Sequence, residues 1–345
     1  MAKLRKNRVF RQPAAWVSAI PMAVLVAMLA LVIKCFGSDA IMGGSQVALL
    51  SAASVCVMIA IGIYGCSWSR LEEAILDNIH TSASSIIILL LIGAIAGTWM
   101  VSGVVPTLIY YGLKVLHPSI FLVATCAICA LVSLITGSSW TTIATIGIAL
   151  MGIGRALGFE EGWIAGAIIS GAYFGDKVSP LSDTTVLASS SCKVNLFTHI
   201  KYLMLTSTPA MIIALLVYAG VGFFSNTNEA SQSFDIIIAL NNSFNITPWV
   251  LAIPIITGIL IAMRIKTYIT LAVSSLLGLI GIFVFQPQII EMLGYTTTWN
   301  DICIMCSDVL FTETTISTGN ELLDSLVSTG GIAGMMPTIY LVLCA

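Results

Sequence analysis

The sequence predicts an all-α polytopic membrane protein: a helical bundle with inverted-topology repeats and broken or re-entrant helices, the second repeat incomplete. Three observations predict it. Of 345 residues, 58% are hydrophobic and only 9% charged, against about 25% charged in soluble domains. Apolar runs of roughly 18 to 23 residues recur, the length that crosses a bilayer as a helix. Clusters of glycine and hydroxyl residues interrupt some of these runs, and non-helical backbone at membrane depth is tolerated only where it is buried or lines a wet cavity. About nine or ten segments fit, in one transmembrane domain over residues 1–345.

The elements follow in order. Lys3, Arg5, Lys6, Arg8 and Arg11 precede the first apolar run with no acidic residue among them, which places the N-terminus in the cytoplasm. Trp16–Phe36 then crosses outward. It is too long for a signal-peptide core and no small-residue cleavage pattern follows it, so the expected location is the inner (cytoplasmic) membrane, multi-pass. About Gln46–Tyr64 returns, leaving RLEEAILDNIH (Arg70–His80) as an amphipathic cytoplasmic segment. Ser84–Val104 crosses again. The stretch VPTLIYYGLKVLHP, with Pro106, Pro118, Lys114 and His117, reads as a short or partial span. Ser119–Thr136 is a clear span, followed by GSSWTT (Gly137–Thr142) and a glycine-punctuated run, Ile143–Leu157. Trp163–Phe174 ends in GAYFGDKVSPLSDTT, after which Lys193, His199 and Lys201 mark a cytoplasmic surface. Tyr202–Phe224 leaves the cytoplasm, Ser225–Thr247 reads as an external loop carrying sequons at Asn241 and Asn245, and Trp249–Met263 returns to Arg264 and Lys266. Tyr268–Phe285 exits. No Lys or Arg follows Lys266, whereas Glu291, Asp301, Asp308, Glu313, Glu321 and Asp324 do, which places that stretch outside.

Net charge of −2 gives no reason to expect nucleic acid as a partner. Membrane lipid is the expected partner, with a homodimer as the protein assembly considered. Nine cysteines are scattered through apolar segments, and packing is the expected role of both CxxC pairs, Cys126/Cys129 and Cys303/Cys306. The segment Glu72–Ala94 resembles Asn320–Ala345: each runs from an acidic residue through an amphipathic turn into an apolar run. The first starts inside and the second outside, the relation of an inverted-topology repeat. The first repeat covers about residues 45–200 and the second begins at about 268–345. Only fourteen residues from Ile332 to Ala345 remain for the last run, where about 20 are needed to span, so the chain reads as C-terminally truncated.

Two constellations could carry chemistry. In GSSWTT, the hydroxyls of Ser138, Ser139, Thr141 and Thr142 and any unwound carbonyls are hard oxygen ligands suited to Na⁺; the alternative is that they only hydrogen-bond a neighbouring helix. In the second, Gly162, Gly166, Ser170, Gly171 and Gly175 recur at helical spacing and let another helix approach. They deliver Asp176 to a tightly enclosed position, where a carboxylate is costly unless paired or wet. Pro180 then breaks the segment, and Ser182 or Asp183 caps a short helix entered by Thr184 and Thr185. An ordinary capped turn is the alternative. A partly dehydrated carboxylate has a raised pKa and can hold H⁺ or, deprotonated, Na⁺, so Asp176 and Asp183 are the candidate Na⁺ ligands. No resident cofactor is expected. An intramembrane aspartyl protease would need GxGD and YD signatures; here Tyr173 stands where the first glycine should be and no YD occurs. No enzyme activity is expected.

The residues GSSWTTIATIGIALMGIGRALG, AGAIISGAYFGDKVSPLSDTTVLASS and LFTHIKYL resemble the signature region of the NhaC family of Na⁺/H⁺ antiporters. EEAILDNIHTSASSIIILLLIGAIAGTWMVSGVVPTLIYYGLK is similar to the family's preceding segment. The resemblance covers about residues 70–265 well. It implies a secondary antiporter exchanging Na⁺ for H⁺ by alternating access, with paired broken or re-entrant elements meeting at mid-membrane. Position by position, it favours Ser138, Ser139, Thr141 and Thr142 at the first element and Asp176, Ser182, Asp183, Thr184 and Thr185 at the second. Family members continue beyond the end of this chain, and some exchange malate for lactate or move amino acids.

Overall fold

A computed structural model describes residues 14–224, 229–263, 265–296, 298–319 and 321–345. Among these, no side chain is described at Ser38, Asp183, Ser191, 229–234, Glu321, Leu322 or Ser325. The basic N-terminal residues Lys3, Arg5, Lys6, Arg8 and Arg11, and Arg264 further on, lie outside the described residues. The described chain is helical throughout, and its sole β-type pairing is the bridge between Thr314 and Thr329.

Six helices are long and apolar enough to cross a membrane, and a bent pair brings the number to seven. They are α1 (Ala15–Phe36), α2 (Gly44–Gly62), α3 (Trp68–Val101), α5 (Pro118–Thr136), α10 (Leu196–Phe224) and α13 (Thr267–Phe285). The expected nine or ten spans are therefore too many among the described residues. The reason is length: α4 (Val104–Val115) has 12 residues, about 18 Å of helix at 1.5 Å per residue, short of the roughly 30 Å hydrocarbon core. The apolar run after GSSWTT is likewise split, into α6 (Ser139–Thr142), a π-helical turn at Ile143–Gly147, and α7 (Ile148–Ala156).

The chain divides into two compact units. The first comprises residues 1–89 and 335–345. In it α1 and α2 are joined by a 3₁₀ turn, Gly37–Met42, and pack on Val32, Ala40 and Ala48. Buried Gln46 donates to the Ile41 carbonyl at 2.7 Å and to the Pro337 carbonyl at 2.9 Å. Arg70–His80, expected as a separate amphipathic segment, forms the exposed start of α3.

The second unit, residues 90–334, holds the remaining elements: α8 (Glu161–Val178), α9 (Asp183–Ser191), α11 (Glu229–Ser243), α12 (Ala252–Ala262), α14 (Pro287–Met292), α15 (Trp299–Phe311), α16 (Glu321–Val327) and the start of α17 (Gly331–Cys344). Small residues let α3 sit close to its neighbours. A Cβ at Gly97 would lie 2.1 Å from the Val309 carbonyl oxygen, and one at Gly278 2.8 Å from Thr98. Trp99, fully buried, donates its indole N–H to Ser274 at 3.1 Å, and Ser274 bonds Thr257 at 2.8 Å. This chain of partners satisfies polar groups that would be expensive unpaired in hydrocarbon.

The expected external loop at Ser225–Thr247 is corrected: its described part is largely helical, as α11. Residues Asp235–Ser243 and Pro248–Ala262 form the bent pair, turning by 89°. Gln286, buried at the end of α13, holds the bend. Its Oε1 accepts from the Asn245 N–H at 3.0 Å, and its Nε2 donates to the Asn245 carbonyl at 3.1 Å. Asn245 Nδ2 donates to the Phe285 carbonyl at 3.1 Å, so one of the two sequon asparagines serves the fold. Of the two repeat-like stretches, Glu72–Ala94 lies within continuous α3, whereas 321–345 is broken between α16 and α17.

Candidate functional site

The site begins with the packing of α8 on α5. A Cβ at Gly171 would lie 2.1 Å from the Cys126 carbonyl oxygen, and one at Gly175 2.3 Å from the Ala130 carbonyl oxygen. Both obstacles are backbone, so only glycine allows the two helices this separation. Ser133 reinforces it by donating to the Ala172 carbonyl at 2.6 Å, and Ser179 by donating to the Leu134 carbonyl at 2.8 Å. The glycine stripe read from sequence is thus shorter than expected: Gly166 approaches the Tyr218 hydroxyl of α10, and a Cβ at Gly162 would meet nothing within 4 Å.

This packing brings two chain breaks together. Gly137 ends α5 with φ of +69°, and a Cβ there would sit 2.7 Å from the Leu181 backbone. Gly137 and Leu181 each precede a helix N-cap, and the caps are built alike. Ser138 accepts from the Thr141 N–H at 3.3 Å and Ser182 from the Thr185 N–H at 3.4 Å. A serine hydroxyl three residues ahead of the N–H that it accepts satisfies one of the orphan donors of a helix start.

Across this junction Ser139 donates to Asp176 Oδ2 at 3.0 Å. Ser139 is buried and Asp176 half-buried, which corrects the expected tight enclosure of the carboxylate: the glycine face of α8 is turned to α5 and Asp176 stands on its flank. Thr185 reaches the same residue from the other break, its hydroxyl lying 3.2 Å from the Lys177 carbonyl oxygen and 3.5 Å from that of Asp176. The first residue of α6 therefore holds the Asp176 side chain while a residue of α9 holds its backbone.

The other expected residues sort by geometry. Thr141 donates to the Ser138 hydroxyl at 3.0 Å and Thr142 to the Ser138 carbonyl at 3.0 Å. Thr184 is exposed and bonds Ser182 at 2.9 Å. Asp183 opens α9, but its side chain lies outside the described residues. Ser133, Ser179 and the π-helical turn that follows α6 were not singled out in the sequence. The signals for the two serines are slight, one turn before Gly137 and one residue before Pro180; nothing in Ile143–Gly147 marks a π-turn, a feature that often accompanies functional sites.

The model of the Na⁺/H⁺ antiporter family matches residues 6–190 and 171–345. The malate-2H⁺/Na⁺-lactate antiporter of Bacillus subtilis is 38% identical over 86% of this chain and 61% of its own length. The Na⁺/H⁺ antiporter NhaC of Alkalihalophilus pseudofirmus is 37% identical over 84% of this chain and 61% of its own. The Bacillus subtilis Na⁺/H⁺ antiporter NhaC is 33% identical over 87% of this chain and 62% of its own. The chain thus spans about three fifths of the length of these relatives. No solved structure matches it. With matches that together cover nearly the whole sequence and relatives above 30% identity, the chain belongs to the membrane-embedded Na⁺/H⁺ antiporter family, whose NhaC members it resembles over 84% and 87% of its length.

Proposed function

We propose that this chain carries the cation site of a secondary antiporter exchanging Na⁺ for H⁺ across the cytoplasmic membrane, with its N-terminus inside. The observation that carries the reading is the 3.0 Å contact of Ser139 with Asp176 where two helix breaks meet. A carboxylate takes one proton or one Na⁺, and the two compete for it. Na⁺ then displaces the hydrogen bond from Ser139, whose hydroxyl turns from donor to ligand. Ser138, Thr141, Thr142, Ser182, Thr184 and Thr185 shape the junction, through caps and hydroxyl–hydroxyl bonds, and Asp183 is the second candidate carboxylate. The similarity to the NhaC Na⁺/H⁺ antiporters supports the choice of ions.

The test is Na⁺-driven proton flux in vesicles containing the chain, without organic solute. Asp176→Asn is expected to abolish it, because the amide neither exchanges a proton nor offers Na⁺ a charge. Undiminished exchange by that variant would overturn the assignment. Flux that appears only when malate, lactate or an amino acid is supplied would move the same site to an organic-solute antiporter, a reading supported by the malate/lactate relative.

A further inference from the structure

We propose that the π-helical turn at Ile143–Gly147 is a register switch: it presents Ser139 to Asp176 in its wide form and withdraws Ser139 when it tightens to α-helix. A π-turn closes its backbone bonds over five residues instead of four, so it holds one residue more than the α-helix on either side requires. Once tightened, that extra residue joins the α-helical ladder. The flanking segment that is free to move then turns by about 100° and advances about 1.5 Å along the axis.

Packing decides which flank moves. A Cβ at Gly152 of α7 would lie 2.7 Å from Ile109 of α4, and one at Gly154 2.7 Å from Ile164 of α8 and 2.8 Å from Phe121 of α5. Three helices therefore grip α7. By contrast α6 has four residues, and among the described residues its one side-chain hydrogen bond to another helix is that of Ser139 to Asp176. Gly137, with φ of +69°, precedes it as a joint. Within the run, buried Thr145 donates to the Thr141 carbonyl at 2.7 Å, a back-bond of the kind that bends helices. Beside the turn lies a cavity of about 500 Å³, lined by Ile143, Gly147 and Ile148 from this run and by Ala165 and Ile168 from α8. The side chains of the turn can re-register into that space without displacing a neighbouring helix. With α7 fixed, tightening brings Trp140 toward the place that Ser139 holds. A serine hydroxyl has lone pairs for Na⁺, whereas an indole N–H only donates. Na⁺ on Asp176 therefore favours the wide form, and a ligand shifts such an equilibrium by its difference in affinity for the two states. The switch rests on the antiport reading for the identity of the ion that biases it.

The experiment removes the extra residue. Deleting Ala144 leaves an unbroken α-helix with both flanks in register, so Ser139 stays on Asp176 and the switch is locked. Na⁺ binding by thermal shift, Na⁺-driven proton flux in vesicles and hydrogen exchange at 143–147 are measured on the full chain. In the wild type, Na⁺ should slow hydrogen exchange at the turn, because interconversion of the registers requires its backbone bonds to open. The deletion variant should bind Na⁺ as the wild type does, show flux no greater than protein-free vesicles, and exchange slowly with or without Na⁺. Normal flux in that variant overturns the inference, as does hydrogen exchange indifferent to Na⁺ in a wild type that carries flux; both leave the antiport reading standing. Loss of Na⁺ binding in the folded deletion variant makes the turn a fixed support for Ser139 and also overturns the switch. Absence of flux in a wild type whose turn still responds to Na⁺ refutes the antiport reading and keeps the switch. Should the deletion variant fail to fold, Ala165→Leu decides, since it fills the cavity from α8 about three turns away from Asp176. Lost flux with Na⁺ binding retained supports the switch there, and undiminished flux overturns it.

Discussion

At the scale of residues, two hydroxyls one position apart have different jobs. Ser138 caps α6 and Ser139 meets Asp176. The sequence shows a hydroxyl-rich break but not which of its four hydroxyls faces the carboxylate, because that depends on the rotation of α6 against α8. A hydrogen bond to a charged group contributes about 1.5–3 kcal/mol, so Ser139→Ala should raise the Na⁺ concentration for half-maximal exchange by roughly tenfold or more. Ser138→Ala should instead cost about 1 kcal/mol of stability through the lost cap, read as a lower melting temperature. Tyr295 offers a pH test outside the candidate spans. Its hydroxyl donates to Asp308 at 2.6 Å, and that bond, then burial, pushes the phenol up to about 12. A raised folded-state value means the stabilisation is complete below about 10, the ordinary phenol value, and is lost as pH rises toward about 12. Tyr295→Phe should remove this alkaline loss, seen as a flatter dependence of unfolding on pH and one phenolate fewer in the absorbance titration.

At the scale of elements, close approach decides which helices can be neighbours. Gly175→Ala places a methyl group against the Ala130 carbonyl and the Leu134 N–H, neither of which can rotate away. The expected loss is about 1–3 kcal/mol, accompanied by loss of exchange as Asp176 moves from Ser139. Gly162→Ala, facing open space, should leave both unchanged; equal damage from the two variants would refute the packing account. The bent pair has an equally local cause. Gln286→Leu removes both bonds to the exposed Asn245 backbone, at about 0.5–1.5 kcal/mol for each, and should make the bend at 244–247 more open to hydrogen exchange. The glycine spacing was legible in the sequence, although its extent was not. The Gln286 latch was illegible, because it joins positions 41 residues apart with no periodic pattern between them.

At the scale of the whole molecule, competition of two cations for one carboxylate predicts coupled behaviour. The apparent Na⁺ affinity should fall as pH falls, and saturating Na⁺ should move the onset of exchange to lower pH, measured as Na⁺-driven proton flux across a pH series. Affinity independent of pH would place Na⁺ and H⁺ on separate groups. The sequence by itself determined the all-helical class, the transmembrane character and the long spans, because hydropathy is a local sum and about 20 apolar residues suffice to satisfy a bilayer wherever they sit. It also located both breaks, since Gly137 and Pro180 act on their own backbone. The tertiary structure decided how many runs are long unbroken helices, that 229–243 is helical, and that Ser139 is the hydroxyl on Asp176. The last of these depends on side chains brought together across α5, α6, α8 and α9, and close packing of that kind leaves no one-dimensional period to read.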